Sequence, residues 1–197
     1  MTSLETLTAE VHACRLCADR FSGTATAHVP RPVPWLSDVA PILVAGQAPG
    51  MRVHKSGRPF DDASGDRLRA WMGIDRETFY DRRQIAVLPM AFCFPGYDAR
   101  GSDLPPPKIC AATWHERAMA EMPQVRLKLL IGGASQQWHL GRMAVTERVQ
   151  RWRETVPDAL PLPHPSWRNT GWLKKNPWFE EEVVPWLRTR IAAVLGR

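Results

Sequence analysis

The chain has 197 residues, 44% of them hydrophobic and 23% charged, an ordinary soluble globular composition that is most simply one domain. Its formal charge of +6 favours a polyanionic partner. No stretch is apolar enough to span a bilayer and the N-terminus lacks a signal-peptide layout, so the expectation is a cytoplasmic protein with no membrane partner; a monomer is expected.

In chain order, residues 2–20 form a predicted helix with Thr2 or Ser3 as N-cap and Leu4, Leu7, Val11 and Cys14 at helical spacing. Residues 21–40 carry Gly, Pro and Ser and are expected to be a surface connection. The apolar run 41–46 predicts the first strand, and it ends in the turn Gly46-Gln47-Ala48-Pro49-Gly50. A loop then leads to a helical pattern from about Asp62, with the helix itself read over Asp66 to Met72 and stopped by Gly73, and to a short helix over Asp75 to Asp81 capped by Asp75. Residues 84–90 predict the second strand. A Gly/Pro/Asp-rich loop over 92–107 precedes a helix that Pro107 suits at its first position. The third strand is 127–132, followed by helices over 133–140 and 145–154. The short fourth strand, 159–162, ends at His164-Pro165-Ser166. Asn176-Pro177 opens the last helix, which Pro185 should kink or delay. Strands alternating with helices imply a mainly parallel sheet covered on both faces. In such a sheet, ligands bind beyond the carboxyl ends of the strands, which is where the 46–50 turn falls.

Cys14 and Cys17 form a C-x-x-C, and Cys93 and Cys110 bracket the Pro/Gly loop. A reducing cytoplasm disfavours disulfides. A thioredoxin-type redox pair would sit after a strand at a helix start, whereas this C-x-x-C ends a helix. A four-thiolate zinc site and a [4Fe–4S] cluster fit the donor set equally well. Spacing alone leaves both open.

Taken together, these segments resemble the iron–sulfur (family four) branch of the uracil-DNA glycosylase superfamily. Cys14-Arg15-Leu16-Cys17 is similar to that family's first cluster pair, and Gly46-Gln47-Ala48-Pro49-Gly50 to its usual G-E-A-P-G motif. Gly57-Arg58-Pro59-Phe60 resembles the following G-x-P-F. Cys93 and Cys110 resemble the second cluster pair, and His164-Pro165-Ser166 resembles the late H-P-[SA] motif. The likeness spans nearly the whole chain, with five motifs in the right order. It implies a three-layer αβα domain with a central, mainly parallel four-stranded sheet. It also implies a structural [4Fe–4S] cluster on Cys14, Cys17, Cys93 and Cys110, with zinc as the alternative.

The implied activity is DNA repair: flipping a damaged base, uracil first, out of DNA and hydrolysing its N-glycosidic bond. Phe60 is the matched position for stacking on the flipped base. Gly46, Ala48, Pro49 and Gly50 would form one wall of the base pocket. His164 is the matched donor to the oxygen on which charge builds as the bond breaks. The segment from Ser166 through Trp167 and Arg168 takes the place of the family's DNA-entering loop, and Arg168, Lys174 and Lys175 are candidate phosphate contacts. The sequence departs from the family pattern at two positions. Gln47 stands where a carboxylate is usual, and an amide is no general base. Pro89 stands where the family reads uracil with an Asn side chain. Asp61 and Asp62 are the nearest substitute carboxylates, with helix capping as the competing role for either. His54 and Lys55 are placed at the pocket mouth or in solvent. The alternative function is a non-catalytic binder of DNA or of damaged bases on the same fold.

Overall fold

The computed structural model describes residues 2–197. Four strands make up the sheet: β1 (Ile42–Ala45), β2 (Ile85–Val87), β3 (Leu127–Ile131) and β4 (Ala159–Leu162), in the order β2-β1-β3-β4. All three pairings are parallel, with Ile42 opposite both Ile85 and Leu127, and Leu129 opposite Leu160. Every strand therefore ends on the same edge, and the segments after β1, β2 and β4 meet there. This is the three-layer αβα arrangement expected from the strand–helix alternation.

The layers follow from side-chain alternation along the strands. Ile42 and Val44 face a core shared with α4 (Ala63–Met72), α5 (Arg76–Tyr80), α8 (Val145–Gln150) and α10 (Val184–Leu195). Leu43, Ala86 and Leu88 face the other way, onto α1 (Ser3–Ala13) and α6 (Lys108–Ala120) through Leu7, Val11, Trp114 and Ala118. α7 (Gly132–Leu140) completes the second layer, its Leu140 packing beside Ala45 and Leu130. Each strand is buried along nearly its whole length, which is why its apolar residues run continuously. Among the described residues, no helix is long and apolar enough to cross a membrane.

Several local predictions need correction. The expected helix over 2–20 is two helices, α1 and α2 (Ala18–Ser22), with the C-x-x-C forming the break between them. Thr2 does cap α1, in a reciprocal capping box with Glu5, and Arg15 reaches back to the carbonyls of His12 and Cys14 at its end. The 21–40 segment is not simply a surface connection. Pro30, Pro32, Val33, Pro34 and Leu36 are buried, and Trp35 exchanges two 2.8 Å backbone hydrogen bonds with Val87, covering the free edge of β2. The stretch expected as a loop after Gly50 contains α3 (Met51–Ser56), and the stretch after Trp167 contains α9 (Thr170–Lys175). The last helix begins with a wide turn, Phe179–Val183, before α10, with Pro185 close to the start of the regular part.

Candidate active site

A cleft of about 540 Å³ opens at the carboxyl edge of the sheet. Its floor is the 46–50 turn after β1. Two backbone hydrogen bonds, Met90 N–H to the Gly46 carbonyl (2.9 Å) and Ala91 N–H to the Gln47 carbonyl (3.0 Å), tie the segment after β2 to this turn. Pro89 thereby joins the cleft wall, and its own carbonyl is bonded from behind by Nε2 of fully buried His115 at 2.8 Å.

Phe60 forms the opposite wall. Its ring lies against the Gly46 backbone, where an added Cβ would meet Cζ at 3.3 Å, and it makes an edge contact with Phe79. The Phe60 backbone is left-handed, with φ of 54°, a conformation that non-glycine residues adopt only when the surroundings impose it. Three contacts do so. Tyr80 donates to the Pro59 carbonyl, Arg69 donates to the Phe60 carbonyl, and Gly65 packs so closely that a Cβ there would sit 1.8 Å from that same oxygen.

His164 projects from just past β4, between buried Pro163 and Pro165. Its Nδ1 accepts the Ser166 N–H at 3.2 Å, and an amide donor there assigns the ring proton to Nε2. Asn169 holds the His164 carbonyl at 2.8 Å, while Arg67 of α4 holds the Ser166 carbonyl at 3.0 Å. Burial lowers the His164 pKa below the usual histidine value; the nearby Asp62 and Asp103 carboxylates oppose that shift, and Arg168 adds to it. The imidazole is therefore neutral at pH 7, with its one N–H fixed in position. Gln47 and His164 converge across Gly132, where a Cβ would lie 3.8 Å from Gln47 Oε1 and 3.9 Å from the His164 ring.

The two aspartates diverge. Asp62 lines the cleft while its Oδ1 accepts the Gly65 N–H at 2.9 Å, capping α4. Asp61 is outside the cleft, paired to Arg76 at 2.5 Å, and that hydrogen bond holds its carboxyl below the usual aspartate range. Trp167 and Arg168 stand at the cleft mouth, Trp167 74% exposed and Arg168 within 3.8 Å of Asp103. Lys174 and Lys175 are exposed in the last turn of α9 and do not line the cleft. His54 is half-buried against His28 and Phe94 and does not line the cleft either. Two charged cleft residues were not anticipated from sequence, Arg52 on α3 and Asp103 in the Pro/Gly loop. A lone Arg and a lone Asp in polar surroundings carry no distinguishing pattern.

The four cysteines are free and line one apolar pocket, on the side of the sheet that α1 and α6 cover. Burial pushes the Cys93 and Cys110 thiols up to about 12, and neighbouring cysteines add to the effect. The Phe92 N–H donates to Cys110 Sγ at 3.3 Å. Among the described residues, no three His, Cys, Asp or Glu side chains are already grouped around a metal position.

A family profile described as the uracil DNA glycosylase superfamily matches residues 33–188. The chain belongs to that superfamily. The match runs from the segment that covers β2 to within α10, so it takes in the entire sheet and every cleft wall. It starts after Cys14 and Cys17 and includes Cys93 and Cys110. Membership in the uracil DNA glycosylase superfamily suggests glycosylase-type hydrolysis, with DNA as the partner.

Proposed function

We propose that this protein is a DNA repair glycosylase that flips a damaged base, most simply uracil, into the cleft and hydrolyses its N-glycosidic bond. The observation that carries this reading is the fixed Nε2–H of neutral His164 in the same cleft as the Phe60 ring and the 46–50 turn. A flipped base needs a flat apolar partner, and Phe60 provides one. As the glycosidic bond breaks, its electron pair moves onto the base and negative charge gathers on a ring carbonyl oxygen. A preorganised neutral donor stabilises that charge, and one such hydrogen bond is typically worth about 10²–10³ in rate. Water then adds to the sugar carbon, and the proton it loses neutralises the anionic base as that departs. Asp62 is a cleft carboxylate able to orient that water, because one oxygen is committed to the α4 cap and the other is not bonded by that cap. The Gln47 side chain, beside His164, can hold a water or a base carbonyl but cannot take its proton.

The cysteine pocket supports a structural [4Fe–4S] cluster held by Cys14, Cys17, Cys93 and Cys110, with zinc as the alternative. Thiolates in an apolar pocket are costly unless a cationic group compensates them, and either metal centre would do so. The bound group would tie the break between α1 and α2 to the two ends of the 93–110 loop. Its chemistry there is structural cross-linking.

A second reading, a non-catalytic binder of DNA or of damaged bases, is favoured by Gln47 and Pro89, both of which lie in the cleft wall. A panel of single-stranded and duplex oligonucleotides carrying uracil, hypoxanthine or xanthine separates the two. The glycosylase reading expects alkali-labile sites that disappear in His164→Ala and Phe60→Ala while the melting temperature is kept. Metal-replete wild-type protein that binds these oligonucleotides but opens none of them would establish the second reading instead.

A further inference from the structure

A second concavity adjoins the cleft. It is an open depression of about 650 Å³, lined by Met51, Arg52, Lys55, Ser56, Asp61 and Tyr97. Arg52 belongs to both walls. The other side is shared too, because residues 96–104 form a small hairpin with one strand lining each hollow. In that hairpin Tyr97 pairs with Asp103, Leu104 N–H reaches the Gly96 carbonyl at 2.9 Å, and the Asp98 carboxylate takes the N–H groups of Arg100 and Ser102. Tyr97 faces the depression, while Asp103 and Leu104 face the cleft. The two hollows are thus neighbouring compartments on either side of one hairpin.

Their chemistry differs. Arg52 and Lys55 lie three residues apart on α3, so their side chains share a helix face on the order of 5–6 Å apart at Cβ. Both are exposed, and among the described residues neither forms an ion pair. The one carboxylate in the depression, Asp61, is engaged by Arg76 at 2.5 Å, so the local field is positive. α3 itself is anchored, with Arg31 donating to the carbonyls of His54 (2.6 Å) and Lys55 (2.7 Å). Tyr97 is supported from behind by an edge contact with Phe94 at 5.0 Å. Two free cations beside an aromatic side chain is the composition of a single-strand track, where phosphates pair with the cations and a base stacks on the ring.

We propose that this depression is a subsite for the unpaired nucleotide next to the one in the cleft, with its phosphates on Arg52 and Lys55 and its base against Tyr97. The proposal rests on the reading of the cleft as a site for a flipped nucleotide. It adds a second grip on the lesion strand, beyond the hairpin whose Asp103 lies within 3.8 Å of Arg168. The flipped nucleotide would then be held by its own strand across the shared Arg52.

Binding of fluorescent single-stranded oligonucleotides, with and without uracil, across a salt series tests it. Arg52→Gln/Lys55→Gln should flatten the slope of log K against log[salt] by about 1.4, since each phosphate contact on single strands contributes about 0.7. Tyr97→Ala should weaken binding about tenfold at fixed salt, and Tyr97→Phe should restore it. Arg153, which precedes β4 at the far end of the sheet, is the charge control, and Arg153→Gln should leave the slope unchanged. A wild-type slope in the double variant, or wild-type affinity in Tyr97→Ala, overturns the subsite. Base release, measured in parallel, keeps the two ideas apart. If wild type releases uracil but the double variant keeps the slope, the subsite falls and the glycosylase reading stands. If wild type releases nothing while the double variant loses slope, the glycosylase reading falls and the strand contact stands.

Discussion

Replacing Gly65 by Ala reaches the cleft indirectly, by pressing on the backbone of Phe60. Gly65 is in the first turn of α4, and its missing side chain lets the helix sit directly on the Phe60 carbonyl. An alanine Cβ would lie 1.8 Å from that oxygen, where contacts under 3.0 Å essentially never occur, so the two backbones must part by about 1.2 Å. Neither is a flexible side-chain tip that can swing aside. α4 is buried against the core through Leu68, Trp71 and Met72, so Phe60 is the element that yields. Its left-handed backbone is held there only by its neighbours, and its ring lies on Gly46. A shift of about 1 Å at a group that positions substrate costs roughly 10²-fold in rate, and overpacking of this kind costs about 1–3 kcal/mol of stability. The assay is kcat/KM on a uracil oligonucleotide beside a thermal melt. Gly171→Ala in α9 is the contrast, because nothing lies within 4 Å of its added Cβ and its backbone is helical. That variant should gain about 0.5–1 kcal/mol from the better helix former. Gly65→Ala with wild-type melting temperature and wild-type kcat/KM would refute the close-packing account of how Phe60 is held.

Two further outcomes follow from the titrating groups and the thiols. Because burial depresses the His164 pKa, the imidazole is neutral in both folded and unfolded chains above about pH 6.5. Below that pH the unfolded chain takes up a proton first, so this residue's contribution to stability is lost as pH falls towards the folded pKa. The acid limb of kcat/KM against pH should accordingly lie below 6.5. Asp103→Asn, which removes a nearby negative charge, should move it lower still; a limb that stays put would exclude Asp103 as a contributor. For the cysteine pocket, Cys110→Ala should release bound iron and sulfide and lower the melting temperature. Wild-type protein carrying zinc and no iron would replace the cluster by the zinc site, and a variant that melts like wild type would remove the staple altogether.

What was legible in the sequence is what local chemistry determines. β1 and β4 are short apolar runs closed by Gly46 and by the prolines around His164, and Asp75 and Gly73 mark helix ends by capping and by a left-handed φ of 67°. What was hidden depends on contacts between distant segments. α3 has only six residues, too few to be stable from propensity, and its last carbonyls are satisfied by Arg31 from more than twenty residues upstream. The proline-rich segment before β1 is indistinguishable from a surface connection until Trp35 is seen paired to Val87. β2 is shorter than its apolar run because Pro89 has no N–H for the ladder, and that same interruption turns Pro89 towards the cleft.

The adjacent pair Asp61 and Asp62 illustrates the limit most directly, and it bears on the chemistry. Side by side in sequence, they are equivalent substitutes for the carboxylate that Gln47 lacks. The fold separates them through Arg76, fifteen residues further on, which binds Asp61 outside the cleft and leaves Asp62 as the one of the pair facing His164. Asp62 is itself half engaged as the cap of α4, so its charge is oriented by the helix N-terminus and by Gly65. A carboxylate held this way is a good electrostatic neighbour for positive charge developing on a sugar ring. In the proposed reaction the main catalytic contribution therefore comes from His164, which stabilises the departing base, with Asp62 supporting the sugar and orienting water. On that division of labour Gln47 need not be ionisable. A neutral amide beside a neutral imidazole adds no negative charge that would oppose the anion forming on the base.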